Sequence, residues 1–194
     1  MPRLILASAS PRRRDLLQQI GLRPDSIVAA DLDEQPLPDE APQRMAERLA
    51  RAKAAHVQPD FPDDFVLAAD TVVSCGRRIL PKAETRDEAE RCLRLLSGRR
   101  HRVTTGVAVF APGGRAVSRR VTTVVRFKTL SEAEHNAYLD SGEWQGKAGG
   151  YAIQGLADAF VASLNGSWSN VVGLPLHETA NLLVGQGFPV WKRT

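Results

Sequence analysis

Arg102-Val103-Thr104-Thr105-Gly106-Val107-Ala108-Val109-Phe110 and Ala116-Val117-Ser118-Arg119-Arg120-Val121-Thr122-Thr123-Val124-Val125-Arg126-Phe127 are two Val- and Thr-rich runs separated by Pro112-Gly113-Gly114. β-Branched residues suit a pleated surface and the Pro-Gly-Gly turn reverses the chain, so the pair reads as a long antiparallel hairpin. The earlier part of the chain has a different rhythm. Arg3 to Ala7 reads as a short apolar strand. Ser10-Pro11 then opens a helix over Arg12 to Ile20, with serine as the cap, proline in the first turn and Gly21 as the stop. Ser26 to Ala30 reads as a second strand, the acidic and proline-rich Asp31 to Pro42 as a loop, and Gln43 to His56 as a helix. Strand and helix alternating early, with hairpins late, predict an α/β fold whose twisted sheet is mixed rather than purely parallel and is flanked by helices.

Val66 to Ala69 is a continuous apolar run ending at Asp70, the pattern of a buried strand, and a turn and strand follow around Gly76 to Leu80. Thr85-Arg86-Asp87-Glu88 is a capping box opening a helix that Gly98 closes. Ser131-Glu132-Ala133-Glu134 repeats the signal for a helix through Leu139. Asp158 to Leu164, Asn165-Gly166 and Ser167 to Val172 have the turn chemistry of another hairpin, and Pro175 to Val184 reads as a closing helix. No repeat or low-complexity linker divides residues 1–194, so we read them as one domain.

Composition narrows the function classes. No apolar run approaches the roughly 20 residues needed to span a bilayer, and the opening segment is too short for a secretory leader, so we expect a soluble cytoplasmic protein without a membrane partner. Cys75 and Cys92 have neither disulfide-framework nor zinc-site spacing. A formal net charge of +4, with arginine supplying 21 of the 26 basic residues, favours an anionic partner. No zinc-finger spacing and no aromatic RNA-binding motif accompanies that charge, so a small anion such as a nucleotide is expected rather than nucleic acid.

Several segments carry chemistry. Ser8-Ala9-Ser10-Pro11-Arg12-Arg13-Arg14 puts hydroxyls and guanidinium groups at a strand-to-helix junction, where free N–H groups and the helix dipole favour an anion; a solvated basic turn is the plainer alternative. Asp70, followed by Thr71, closes an apolar strand where α/β sheets commonly place ligands; with a second carboxylate such as Glu34 it could hold a hard cation against phosphates, or simply cap a turn. Lys53 lies four residues past Leu49 and eight past Met45, on the inward stripe of its helix, where an anion should meet it unless the ammonium snorkels to water. Lys82 precedes the capped helix, and Lys147 precedes Ala148-Gly149-Gly150, glycines that permit close backbone approach to a ligand. There is no Walker A loop, no G-x-G-x-x-G and no H-E-x-x-H; Gly166-Ser167-Trp168-Ser169-Asn170 lacks the last glycine of a nucleophile elbow.

Leu6-Ala7-Ser8-Ala9-Ser10-Pro11-Arg12-Arg13, Ala68-Ala69-Asp70-Thr71-Val72-Val73, Lys147-Ala148-Gly149-Gly150-Tyr151-Ala152-Ile153-Gln154-Gly155 and Asn170-Val171-Val172-Gly173-Leu174-Pro175-Leu176 together resemble the Maf family of nucleoside triphosphate pyrophosphatases, almost end to end. The resemblance implies a two-lobed α/β fold around a central cleft, related in architecture to the inosine triphosphate pyrophosphatases, and a divalent cation, Mg2+ or Mn2+. It implies Asp70 as general base or metal-linked activator of water, with Glu34 as the second acid. Ser8, Ser10, Arg12, Arg13, Lys53, Lys82 and Lys147 would line the triphosphate or stabilise developing charge. Arg12, Thr71 and Gln154 match the branch that resembles dTTP and UTP hydrolases, where the 7-methylguanosine branch carries tryptophan, glutamine and glutamate. A carboxamide at Gln154 can pair with the polar edge of a pyrimidine.

One departure stands out: Leu80-Pro81-Lys82-Ala83 replaces the family's usual Gly-Lys-Pro. Without proline after Lys82 the loop's backbone is expected to be freer and the ammonium less well placed. The resemblance also implies a homodimer and an association with septum formation and division arrest. The rival readings are a non-catalytic nucleotide-sensing protein and, last, an arginine-driven nucleic-acid binder.

Overall fold

A computed structural model describes residues 3–191. In chain order its elements are β1 (Leu4–Leu6), α1 (Pro11–Gln19), β2 (Ser26–Ile27), α2 (Pro42–Val57), β3 (Phe65–Cys75), β4 (Arg78–Leu80), β5 (Lys82–Ala83) and α3 (Arg86–Leu96). Then come β6 (Arg100–Phe110), β7 (Ala116–Phe127), α4 (Glu132–Ser141), β8 (Lys147–Ala148), β9 (Val161–Asn165), α5 (Trp168–Val172) and α6 (Leu176–Gly185). The main sheet runs β2-β1-β3-β6-β7-β9, with β4 added beside β3. The β1 pairings are parallel and the others among the described residues antiparallel, so the sheet is mixed, as the late hairpin requires. β5 and β8 form a separate two-stranded ribbon that the sequence reading does not anticipate.

The hairpin of β6 and β7 forms as read, from Arg100↔Arg126 to Phe110↔Ala116. Both capping boxes are present: Thr85 and Ser131 each accept from the N–H three residues on, and Glu88 and Glu134 reach back. Other expectations are corrected. β2 stops at Ile27 because β1, its partner, stops at Leu6; the last bond along that edge joins the Val28 N–H to the Leu6 carbonyl. Asp158 to Val172 is not a hairpin. β9 pairs with β7, and Ser167 caps α5 by accepting from the Asn170 N–H while its own N–H donates to Thr123 Oγ1, which turns the chain away from a return strand.

β3 departs furthest from the sequence expectation. The strand does not end at Asp70 but runs on to Cys75. Along one edge β6 pairs it continuously from Val66 to Ser74. Along the other, β1 covers Phe65 to Leu67 and β4 covers Val73 to Cys75, so, among the described residues, residues 68–72 have no strand beside them. Asp70 sits in the middle of that gap. The crevice expected at a strand end is built here by the end of the neighbouring strand.

Small residues set the height of α2 above the sheet. Ala46, Ala50 and Ala54, one turn apart, have no exposure to solvent; Ala50 and Ala54 pack with Ala68 and Ala108, and Ala46 with Val72. At Gly106, opposite Asp70, a Cβ would collide with the Ala46 carbonyl and lie 2.6 Å from Glu47 Cα. Only glycine lets helix backbone lie on strand backbone here. Gly106→Ala is therefore expected to cost about 3 kcal/mol, a melting temperature lower by roughly 6–12 °C. Gly185→Ala, where no atom lies within 4 Å of an added Cβ, should leave it unchanged or slightly raised. Calorimetry on the pair checks this. On the opposite face a larger core gathers Leu16 and Leu17 of α1, Leu93 and Leu96 of α3, Tyr138 and Leu139 of α4, and Leu183 of α6.

Candidate active site

Between the gap in β3, the start of α1 and the β5–β8 ribbon lies a cavity of about 450 Å³. Ser8, Ser10, Arg12, Arg13, Glu34, Lys53, Asp70, Thr71, Lys82, Lys147 and Gln154 all line it, although they come from seven separate stretches of the chain. Its floor is a row of alternating charge. Lys53 Nζ lies 2.5 Å from Asp70 Oδ1 and 2.6 Å from Glu34 Oε1, and Lys82 Nζ lies 2.5 Å from Glu34 Oε2. Asp70 is 5% exposed and Lys53 7%, so the anion expected at the inward lysine is found and the snorkelling alternative is not. The height of α2 delivers Lys53 to this point, seven residues on from Ala46. Burial alone would raise the Glu34 carboxyl, but hydrogen bonds from Lys53 and then Lys82 outweigh it and hold the group down at about 2.

The opposite wall is basic and largely unneutralised. Arg12, Arg13 and Lys147 make no ion pair among the described residues. Burial weakens the hold of Arg12 and Arg13 on their protons, and burial with the nearby Arg12 does the same at Lys147. A cluster of partly desolvated cations is the arrangement a multivalent anion would stabilise. Arg13 is also an anchor: Nε donates to the Gly173 carbonyl at 2.9 Å, Nη1 to Ser8 Oγ at 2.9 Å and Nη2 to Thr71 Oγ1 at 3.4 Å. Arg14 points away and pairs with Asp15.

Some local expectations change. Ser10 occupies the cap position of α1, but its side chain makes no capping bond, so its hydroxyl stays available at the cavity. Gly149 and Gly150 do not make room for a ligand: their left-handed backbone brings them against Val73 Cγ1, where a Cβ would sit at 2.8 Å, and against Ala89 and Cys92. They tie the ribbon to β3 and α3 instead. Lys82 is not freed by the displaced proline, because β5 pairs with β8 and the Pro81 carbonyl takes the Gly149 N–H at 2.9 Å.

Several contributors escape the sequence reading. Thr105, directly across from Thr71 in the ladder, holds its hydroxyl at 2.9 Å. Asn170, fully buried, donates to Val103 O and Thr123 Oγ1 and seats the α5 end of the cavity. His101 Nε2 lies 2.8 Å from the hydroxyl of Tyr151, a cavity residue, within an aromatic cluster with Phe127. Thr105 has no signal in linear spacing, because ladder register alone brings it to Thr71, whereas Asn170 and Tyr151 stand in the motif segments quoted above without a role assigned to them. Burial lowers His101 to about 4, against roughly 6.5 for a free imidazole. The folded state thus binds its proton later than the unfolded chain, so stability is complete above pH ~6.5 and falls towards pH ~4, by roughly 3 kcal/mol at the limit. Thermal unfolding across that window should show the slope, reduced in His101→Asn.

Residues 3–186 match the family described as Maf-like protein. The dTTP/UTP pyrophosphatase of Caulobacter vibrioides is 61% identical over 187 residues, covering 96% of this chain and 97% of its own length. That of Maricaulis maris is 61% identical over 193 residues, covering 99% and 92%. Among solved structures, a HAM1 protein from Coxiella burnetii aligns over 66% of this chain and 73% of its own at 14% identity and a TM-score of 0.44, too distant to inform the site. The near-complete family match and the high identities along the whole chain show that this protein belongs to the Maf-like family.

Proposed function

We propose that the chain is a nucleoside triphosphate pyrophosphatase that hydrolyses dTTP and UTP to the monophosphate and pyrophosphate. The observation that carries this reading is the Asp70–Lys53–Glu34–Lys82 row, buried at Asp70 and Lys53, facing the unneutralised Arg12, Arg13 and Lys147 across one cavity, in a chain whose close relatives bear that name. A nucleoside triphosphate is the multivalent anion that such a wall would hold. Substrate oxygens would take Arg12, the free donors of Arg13, Ser8, Ser10 and Lys147, with Thr71 and Gln154 near the base.

Water attacks the α-phosphorus, the bond from the α-phosphorus to the bridging oxygen breaks, and pyrophosphate departs with that oxygen and the electron pair. Lys53 engages Asp70 through Oδ1, leaving Oδ2 to orient the water and accept its proton. Lys82 and Lys147, with Arg12, offset the charge growing on the leaving pyrophosphate. The donor set fits a divalent cation that is completed by substrate. Asp70 and Glu34 are hard oxygen donors joined through one ammonium, and no cluster of three or more metal-ligating side chains occurs among the described residues. Mg2+ or Mn2+ held by these two carboxylates would neutralise phosphate oxygens when bound.

The wider reading is a cytoplasmic house-cleaning enzyme without nucleic acid or membrane, as the composition leads one to expect; its use of modified pyrimidine nucleotides, its homodimer and its link to septum formation and division arrest rest on the family alone. Among the described residues no helix is long and apolar enough to cross a membrane. A panel of dTTP, UTP, CTP, GTP, ATP and 7-methylguanosine triphosphate, assayed for pyrophosphate with Mg2+, with Mn2+ and with chelator, tests the core of the proposal. Metal-dependent turnover favouring dTTP and UTP is expected. Preference for the methylated guanine nucleotide would overturn the specificity, and silence across the panel would overturn the activity.

A further inference from the structure

Two hydroxyls line the cavity with opposite hydrogen-bonding polarity. Ser8 Oγ accepts from the Ser10 N–H at 3.2 Å and from Arg13 Nη1 at 2.9 Å, so what it has left to offer a ligand is its proton. Thr71 is the reverse. Thr105 Oγ1 lies 3.1 Å from the Asn170 carbonyl, an atom that can only accept, and so the single Thr105 hydroxyl proton is committed there. Thr105 Oγ1 also lies 2.9 Å from Thr71 Oγ1; having no second proton, it must be the acceptor in that bond and Thr71 the donor. Arg13 Nη2 approaches Thr71 Oγ1 as a further donor at 3.4 Å. Towards a ligand, Thr71 can then only accept.

The order of protons along this row is locked by burial. Thr105 and Asn170 are both fully buried, and the Asn170 amide is itself held by Val103 O and Thr123 Oγ1 at 3.0 Å each. The β3–β6 register places Thr105 opposite Thr71, and half-buried Thr71 is the member of the row that meets the cavity.

We propose that Thr105 is a specificity-determining positioning residue: by taking the Thr71 proton it fixes Thr71 as an acceptor for the imide N3–H of uracil or thymine and against the bare N3 of cytosine. This rests on the reading of the cavity as a pyrimidine nucleotide site. An acceptor facing a phosphate oxygen would be repelled, so Thr71 belongs with the base and donor-only Ser8 with the phosphates. Gln154 cannot make the distinction alone, because a carboxamide can turn either its oxygen or its NH2 towards the carbonyl or the amine at C4. Discrimination between the two bases needs a partner whose polarity does not rotate.

The test is the ratio of kcat/KM for UTP to that for CTP in the wild-type chain, Thr105→Val and Thr105→Ser, with melting temperatures measured alongside. Valine keeps the shape but leaves the Thr71 proton free to turn to the ligand. The ratio should fall roughly tenfold, through a gain of CTP turnover that a merely structural defect would not produce, while serine retains the wild-type ratio. A folded Thr105→Val protein with an unchanged ratio would overturn the proposal. If that variant does not fold, Thr71→Val carries the test: without an acceptor the ratio should again fall roughly tenfold, and an unchanged ratio means that Thr71 does not read the base. Absence of pyrimidine nucleotide turnover by the wild-type chain would instead refute the underlying reading, before any variant is compared.

Discussion

Asp70→Asn is expected to fold as the parent does and to lose roughly 10³-fold or more in pyrophosphate release from UTP. The amide is close to isosteric with the carboxylate and keeps an oxygen for Lys53, which approaches Oδ1 at 2.5 Å. The strand is held independently by continuous pairing to β6 and does not depend on the charge. Lost instead are the two things a neutral amide cannot do, accepting a proton from water and contributing an anionic oxygen to a cation. Turnover and melting temperature measured on the same preparation check both halves. Parental activity in a folded variant would remove Asp70 from the chemistry.

Lys53→Met is expected to damage stability as well as activity. Its ammonium is the shared partner of a buried carboxylate and a half-buried one, at 2.5 and 2.6 Å. Removing it leaves Asp70 desolvated and unpaired beside another negative charge, a loss of about 3–5 kcal/mol by comparison with other broken buried pairs, or roughly 10 °C in melting temperature. Methionine is close to lysine in length and volume, so the loss reports charge rather than volume. Adding Asp70→Asn should therefore recover part of it, because the charge without a partner is gone. If the double variant is as unstable as the sum of the two singles, the ion pair is not what Lys53 contributes.

Local signals carried much of the fold. Thr85 and Ser131 capping boxes, the Pro112-Gly113-Gly114 turn and the Val- and Thr-rich strands each specify structure through near neighbours, and each forms as read. The failures share a cause: they depend on where a neighbouring strand ends. β2 is short because β1 is short, β3 runs past Asp70 because β6 pairs it that far, and Ser167 starts a helix because Thr123 of β7 takes its N–H. The β5–β8 ribbon is two residues a side, below what alternation can register.

At the site, the inward stripe of α2 announced that Lys53 would meet an anion, though not that it would meet both Asp70 and Glu34. Gly106 carried no visible signal, yet it sets the distance between α2 and β3. Gly149 and Gly150 were legible as glycines needed for close approach, but what approaches is Val73, Ala89 and Cys92 rather than a ligand. Thr105 was invisible as a partner of Thr71 because only the ladder register brings them together.

Hydrolysis of UTP in heavy-oxygen water, with the label traced by mass spectrometry, decides whether this chain directs water to the α-phosphorus of a pyrimidine nucleoside triphosphate. Equal amounts of UMP and pyrophosphate are expected, with the heavy oxygen in UMP. Label in pyrophosphate, or release of orthophosphate with UDP, would contradict attack at that phosphorus.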